Sequence, residues 1–215
     1  MPPPADPDLP QISEDRPLLI VDVDEVLGLF MHGFGAFVAQ HGYELRIERF
    51  ALFQNLFRPG DSQPLDMETG RTLFNEFFRH GSEAMLPTPH AVASLGALSR
   101  RASIVILTNA PDQCREARRR WLTHHGMDYP LLFNSGPKGA IVAALSARTR
   151  GPSAFVDDLI PNLDSAAESA PAVHRFQLVA DPRLAAVAPS APDRHPRIDD
   201  WPSLRRAIAR VLGTD

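Results

Sequence analysis

The chain has 215 residues, a hydrophobic fraction of 44%, a charged fraction of 22% and a formal net charge of −4. These values suit one soluble domain with an insertion or a small second unit, and they exclude a broad electrostatic pull toward nucleic acid or anionic lipid. The single cysteine, Cys114, excludes an internal disulfide, and no apolar run approaches the ~20 residues of a membrane span.

The first ten residues, MPPPADPDLP, are proline-rich and acidic, without the basic start and apolar stretch of a secretion signal. Residues 1–16 are therefore expected to be mostly unstructured, and the protein cytoplasmic. LLIV at 18–21 reads as a buried strand by its length and β-branched content. Composition then changes: nine of the twelve phenylalanines fall between Phe30 and Phe78. Apolar residues recur there at helical spacing, as in FGAFVAQHG, ERFALFQNLF and GRTLFNEFFRHG, around a loop RPGDSQPLD at 58–66. This block, 31–88, is expected to be a small helical unit without a strong strand.

Strands and helices alternate after it. A helix is predicted over 91–101, a strand over SIVILTNAP at 103–111, and a polar helix over 112–126 that stops at Gly126. A short strand follows in YPLLFNSG, 129–136, then a helix over 138–148 and a strand SAFVDD at 153–158. LDSAAESA gives a short helix, RFQLVAD at 175–181 a fifth strand, and APSAPDRHPR at 188–197 a surface loop. WPSLRRAIARVLG closes as a helix with an early proline. The class is α/β with a largely parallel sheet.

In such sheets ligands bind beyond the carboxyl ends of the strands. LLIV is followed by Asp22 and Asp24, IVIL by Thr108 and Asn109, and AFV by Asp157 and Asp158, while Lys138 opens the helix after the third strand. Charge at the end of an apolar run is costly to desolvate unless something pairs with it. Four carboxylates, a hydroxyl and an ammonium can thus converge on one spot.

DVDEV, LTNAP, GPKGA and FVDD, in this order and spacing, resemble the four motifs of the haloacid dehalogenase superfamily, over about Leu18 to Asp181. The resemblance implies a Rossmann-like three-layer core, 17–30 and 89–215, with a helical cap, 31–88, inserted after the first strand. It implies the phosphatase branch, because the second aspartate is present: a Mg²⁺-dependent hydrolase of a small phosphorylated metabolite. Asp22 would be the nucleophile that forms an aspartyl phosphate, and Asp24 the acid and then the base. Thr108, the Asn109 backbone N–H and Lys138 would bind the phosphoryl oxygens. Asp22, the Asp24 carbonyl and Asp157 would hold the metal, with Asp158 binding it through water or holding Lys138.

One departure stands out: the family usually has glycine where Glu25 lies. Either Glu25 keeps the same loop shape, or it adds a carboxylate near the leaving group. A phosphomutase on the same residues, and a non-catalytic binding or regulatory protein on this fold, are the alternatives. His124 and His125 read as a surface pair, His32 as a residue that can face the substrate, and Cys114 as a buried filler.

Overall fold

A computed structural model describes residues 9–214. The expectation of an unstructured start lies outside the described residues for positions 1–8. Residues 9–16 form no helix or strand, yet they are tied down. The Arg148 side chain donates to the Leu9 and Pro10 carbonyls, Arg16 donates to those of Ser99 and Ala102, and Leu9 and Ile12 pack on the core.

The elements in chain order are β1 (Leu18–Val21), α1 (Phe30–Gln40), β2 (Glu44–Leu45), β3 (Leu56–Phe57), α2 (Met67–His80), α3 (Ala91–Ser99), β4 (Ser103–Thr108), α4 (Arg115–His124), β5 (Leu131–Phe133), α5 (Gly139–Ser146), β6 (Ser153–Asp157), α6 (Ile160–Ser169), β7 (His174–Gln177), α7 (Pro182–Ala185) and α8 (Trp201–Leu212). Five strands form one parallel sheet in the order β5-β4-β1-β6-β7. The chain builds outward from β1 through β4 to β5, then returns to β6 on the other side. β1 and β6 therefore flank the point where strand order reverses, the usual ligand crevice of open α/β sheets.

Both faces of the sheet are covered, which is why β1, β4 and β6 read as unbroken apolar runs. Side chains alternate between the faces. Leu19, Val21, Ile104, Ile106 and Val156 pack with α3, α4 and α8, whereas Leu18, Ile20, Val105, Leu107 and Phe155 pack with α5 and α6. The result is the expected three-layer, Rossmann-like α/β/α arrangement. No helix among the described residues is long and apolar enough to cross a membrane.

Three segments differ from the sequence expectations. ERFALFQNLF is not a helix: it is an irregular stretch ending in a 3₁₀ turn at Phe53–Asn55, followed by β3, which pairs antiparallel with β2. The buried Asn55 side chain fixes it, donating to the Arg49 and Ala51 carbonyls and accepting from Glu48 N. β7 ends soon after Gln177 because the N–H groups turn elsewhere: Leu178 N still donates to Asp157 O on β6, but Val179 N goes to the Asp199 carboxylate and Ala180 N to Glu25 O. Finally, α6 begins at Ile160, with Pro161 in its first turn, rather than at Leu163.

Candidate active site

The sheet ladder continues one residue past β1, since Asp22 N donates to Val156 O at 3.0 Å. Asp22 thus follows in phase with Leu18 and Ile20, and Asp157 with Phe155, toward the face covered by α5 and α6. Lys138 immediately precedes α5 on that face. Its Nζ donates to Asp22 Oδ1 and Asp157 Oδ2 at 2.7 Å each. Gly139 makes this approach possible: its N–H donates to Ser165 Oγ at 3.1 Å, and a Cβ there would lie 2.2 Å from Ser165 O on α6.

The two adjacent acids after β6 have different surroundings. Asp157 is fully buried, and its second oxygen accepts from Leu159 N at 2.9 Å and Asn162 Nδ2 at 3.0 Å. Lys138 is held by Asp157, not by Asp158. The Asp158 carboxylate forms no hydrogen bond or ion pair with the described residues. One oxygen each from Asp22, Asp157 and Asp158 lies within 4.8 Å of the others. Three carboxylates against one ammonium leave negative charge uncompensated, and an all-oxygen donor set suits a hard divalent cation.

Titration reflects this crowding. Burial pushes the Asp22 carboxyl up to about 7; Lys138 pulls it down, while Asp157 and Asp24 add to the rise. Burial, followed by repulsion from Asp157, Asp22 and Glu25, raises Asp158 well above the carboxylate range. Burial lowers the Lys138 ammonium, but Asp157 and Asp22 more than offset it, so its pKa is raised.

Asp24 turns away from this cluster. Arg118 Nη2, from α4, donates to its Oδ1 at 2.7 Å and its Oδ2 at 2.9 Å. The guanidinium is buried, with its centre 5.5 Å from the Phe78 ring of α2. Glu25 has a left-handed backbone, φ +60. Its carboxylate accepts from Met31 N at 2.7 Å and Asp181 N at 2.9 Å, and its carbonyl accepts from Ala180 N at 2.8 Å. The left-handed backbone is the shape that glycine adopts easily, and the carboxylate both stitches the β1 loop to the segment before α7 and borders the cavity that opens above this cluster. Burial outweighs both hydrogen bonds and holds the carboxyl at about 7.

A cavity of about 400 Å³ opens above these groups, bordered by Asp22, Asp24, Glu25, Asn109, Lys138 and Asp158. Thr108 and Asp157 are buried behind it.

Neither a family model nor a curated protein matches the chain. Solved structures do. A haloacid dehalogenase-like hydrolase from Streptococcus pneumoniae aligns with a TM-score of 0.58 at 11% identity, over 92% of this chain and 100% of that one. The protein YfnB of Bacillus subtilis, in a magnesium-bound form, aligns with a TM-score of 0.58 at 12% identity, over 90% and 99% of the two chains. A structure from Thermotoga maritima with a provisional β-phosphoglucomutase name aligns with a TM-score of 0.54 at 15% identity, over 91% and 99%.

The chain has the haloacid dehalogenase fold. On this fold the sequence-predicted residues Asp22, Lys138, Asp157 and Asp158 form one cluster, with Asp24 beside it. The Thr108 hydroxyl accepts from Ala110 N at 3.2 Å, which leaves its proton to donate. The Asn109 side chain is engaged with Gly136 O and Asn134. His32 is exposed and does not reach the cavity, so it does not face a substrate there. At the start of α1, Phe30, Met31 and Phe34 take the buried side and leave His32 outward. His124 is exposed and His125 half-buried at the end of α4, and Cys114 is buried.

Two contributors escaped the sequence reading. Asn162 lies five residues beyond Asp157, in the first turn of α6, where any cap residue reads the same. Arg118 is one of four arginines in REARRR, and nothing in local spacing marks it as the buried one.

Proposed function

We propose that the chain is a cytoplasmic, Mg²⁺-dependent phosphatase that hydrolyses a small phosphorylated metabolite through an aspartyl phosphate on Asp22. The observation that carries the reading is the cluster at the β1–β6 crevice: Asp22, Asp158 and Lys138 border the cavity, and Asp157 holds Lys138 from behind. Asp22 Oδ forms a bond to phosphorus as the ester P–O bond breaks, and Asp24 gives a proton to the leaving oxygen. Water then attacks the phosphoryl group, its proton passes to Asp24, and the Asp22 O–P bond breaks. Arg118 donates to both Asp24 oxygens, so proton delivery requires that this pair open first.

Lys138 neutralises part of the phosphoryl charge, and Thr108 and the Asn109 N–H donate to its oxygens. The sequence reading assigns Asp157 to the metal, but its oxygens are engaged by Lys138, Leu159 and Asn162, so we assign Asp158, with Asp22 and the Asp24 carbonyl, as the Mg²⁺ ligands and leave Asp157 to complete the cluster and orient Lys138. Bound there, the ion would neutralise charge developing on the phosphoryl group. Residues 31–88 act as the cap over the cavity. Nucleic acid and membranes are not partners on this reading, given four carboxylates at the cavity and a net charge of −4. The single buried cysteine suits a reducing compartment.

The test is phosphate release from p-nitrophenyl phosphate and a panel of metabolite phosphates, with Mg²⁺ and with EDTA. Metal-dependent release is expected, and Asp22→Asn should abolish it while circular dichroism stays unchanged. Turnover surviving that substitution would sink the mechanism. A mutase would use the same residues but return the phosphoryl group to the substrate, giving an isomer without free phosphate.

A further inference from the structure

The walls of the cavity are unlike its floor. Above the carboxylates they are apolar: Phe30, Phe74 and Phe78 from α1 and α2, Phe50 and Leu52 from the irregular stretch before β3, and Leu159 just beyond Asp158. Leu159 is 37% exposed, one of few large apolar side chains so placed, and it sits at the junction of wall and floor. Together these side chains make a contiguous apolar lining over the carboxylates, the kind of surface that a ligand's apolar part covers.

The polar inventory is equally informative. Among the residues bordering the cavity, side-chain donors are limited to Lys138, Asn109 and Asn162. Lys138 is bound to two carboxylates, and each of the two amides has one N–H committed to the protein, so few donors are left for a ligand. A sugar or nucleoside needs donors and acceptors matched to its hydroxyls, and leaving buried polar groups unmatched costs about 1–3 kcal/mol each. A second anionic group on the substrate would meet Asp22, Asp24, Glu25 and Asp158 with no further cation on the walls.

We infer that the organic part of the substrate is apolar and carries no second negative charge: the phosphomonoester of an aryl, arylalkyl or branched alkyl alcohol. The inference rests on the phosphatase reading for the phosphoryl group, and on the walls alone for the rest. A cavity of about 400 Å³ takes a ring the size of benzyl with room for the phosphoryl group.

The experiment compares benzyl phosphate with glucose 6-phosphate, 2-phosphoglycolate and adenosine 5′-monophosphate, with Mg²⁺, on the full chain. Benzyl alcohol and a primary sugar alcohol are similar leaving groups, so a preference reports binding to the walls. The expected result is kcat/KM at least tenfold higher for benzyl phosphate, on the order of the discrimination apolar pockets achieve. It should fall in Phe50→Ser and Leu52→Ser, both half-buried positions. Preference for the sugar, nucleotide or dicarboxylate-like substrate would overturn the inference and leave the phosphatase reading standing. If no monoester is turned over, that reading falls, and calorimetric binding of benzylphosphonate against methylphosphonate decides the inference. Tenfold tighter binding of the benzyl compound upholds it, and equal binding, or none, refutes it.

Discussion

At Glu25 two opposing terms meet. A left-handed backbone costs a non-glycine residue roughly 1–2 kcal/mol. Two backbone N–H groups donating to its carboxyl contribute about 0.5–1.5 kcal/mol each while it is protonated, which offsets the strain and accommodates glutamate where glycine is the easier choice. The carboxyl is nevertheless held at about 7 against an ordinary 4.5. Between those values the folded chain keeps a proton that the unfolded chain has released, so this group's contribution to stability falls as pH rises through the window. Glu25→Gly removes both the stitch and the titration. At pH 5 the variant should be less stable than the parent, and by pH 8 the difference should move roughly 2–3 kcal/mol in the variant's favour. Urea unfolding at the two pH values measures it, and a pH-independent difference would show that Glu25 titrates normally.

Among elements, the contact of α5 with α6 sets the position of Lys138, and Gly139 is its pivot. Helix propensity alone favours alanine over glycine by about 1 kcal/mol. The Cβ, however, would meet the Ser165 carbonyl at 2.2 Å, and backbone cannot step aside as a flexible side chain can. Gly139→Ala should therefore destabilise the fold by roughly 1–3 kcal/mol and lower turnover, because α5 must move and Lys138 moves with it. A rise in thermal midpoint would mean that propensity wins and the packing argument fails. The elements that carry the acids were legible because β1, β4 and β6 are buried on both faces and end abruptly in polar residues. The stretch at 46–55 was not, since Asn55 fixes it through side-chain bonds to backbone that apolar spacing does not record. Nor was the division of labour between Asp157 and Asp158 visible: the adjacent acids differ only in which side of the β6 end they face, so one takes Lys138 and Asn162 and the other borders the cavity.

Over the whole molecule, the sheet concentrates negative charge at a single crevice, and stability should report what neutralises it. A ligand that binds only the folded chain stabilises it by RT ln(1 + [L]/Kd), about 2.7 kcal/mol at a hundredfold excess over Kd. For a chain of 215 residues, each kcal/mol moves the thermal midpoint by about 2–4 °C. Mg²⁺ must displace protons from Asp22, held at about 7, and from the raised Asp158. Proton competition strengthens as pH falls, so millimolar Mg²⁺ should raise the midpoint by several degrees at pH 8, and by less at pH 6. EDTA should reverse the gain, and Asp158→Asn should remove most of it at both pH values. The variant also relieves repulsion among Asp22, Asp157 and Asp158, so without metal it should unfold at a higher temperature than the parent at pH 8. Differential scanning calorimetry separates the two effects. A midpoint indifferent to Mg²⁺ at pH 8 would count against a metal in this cluster, whereas a gain retained by Asp158→Asn would reassign the ligand to Asp157.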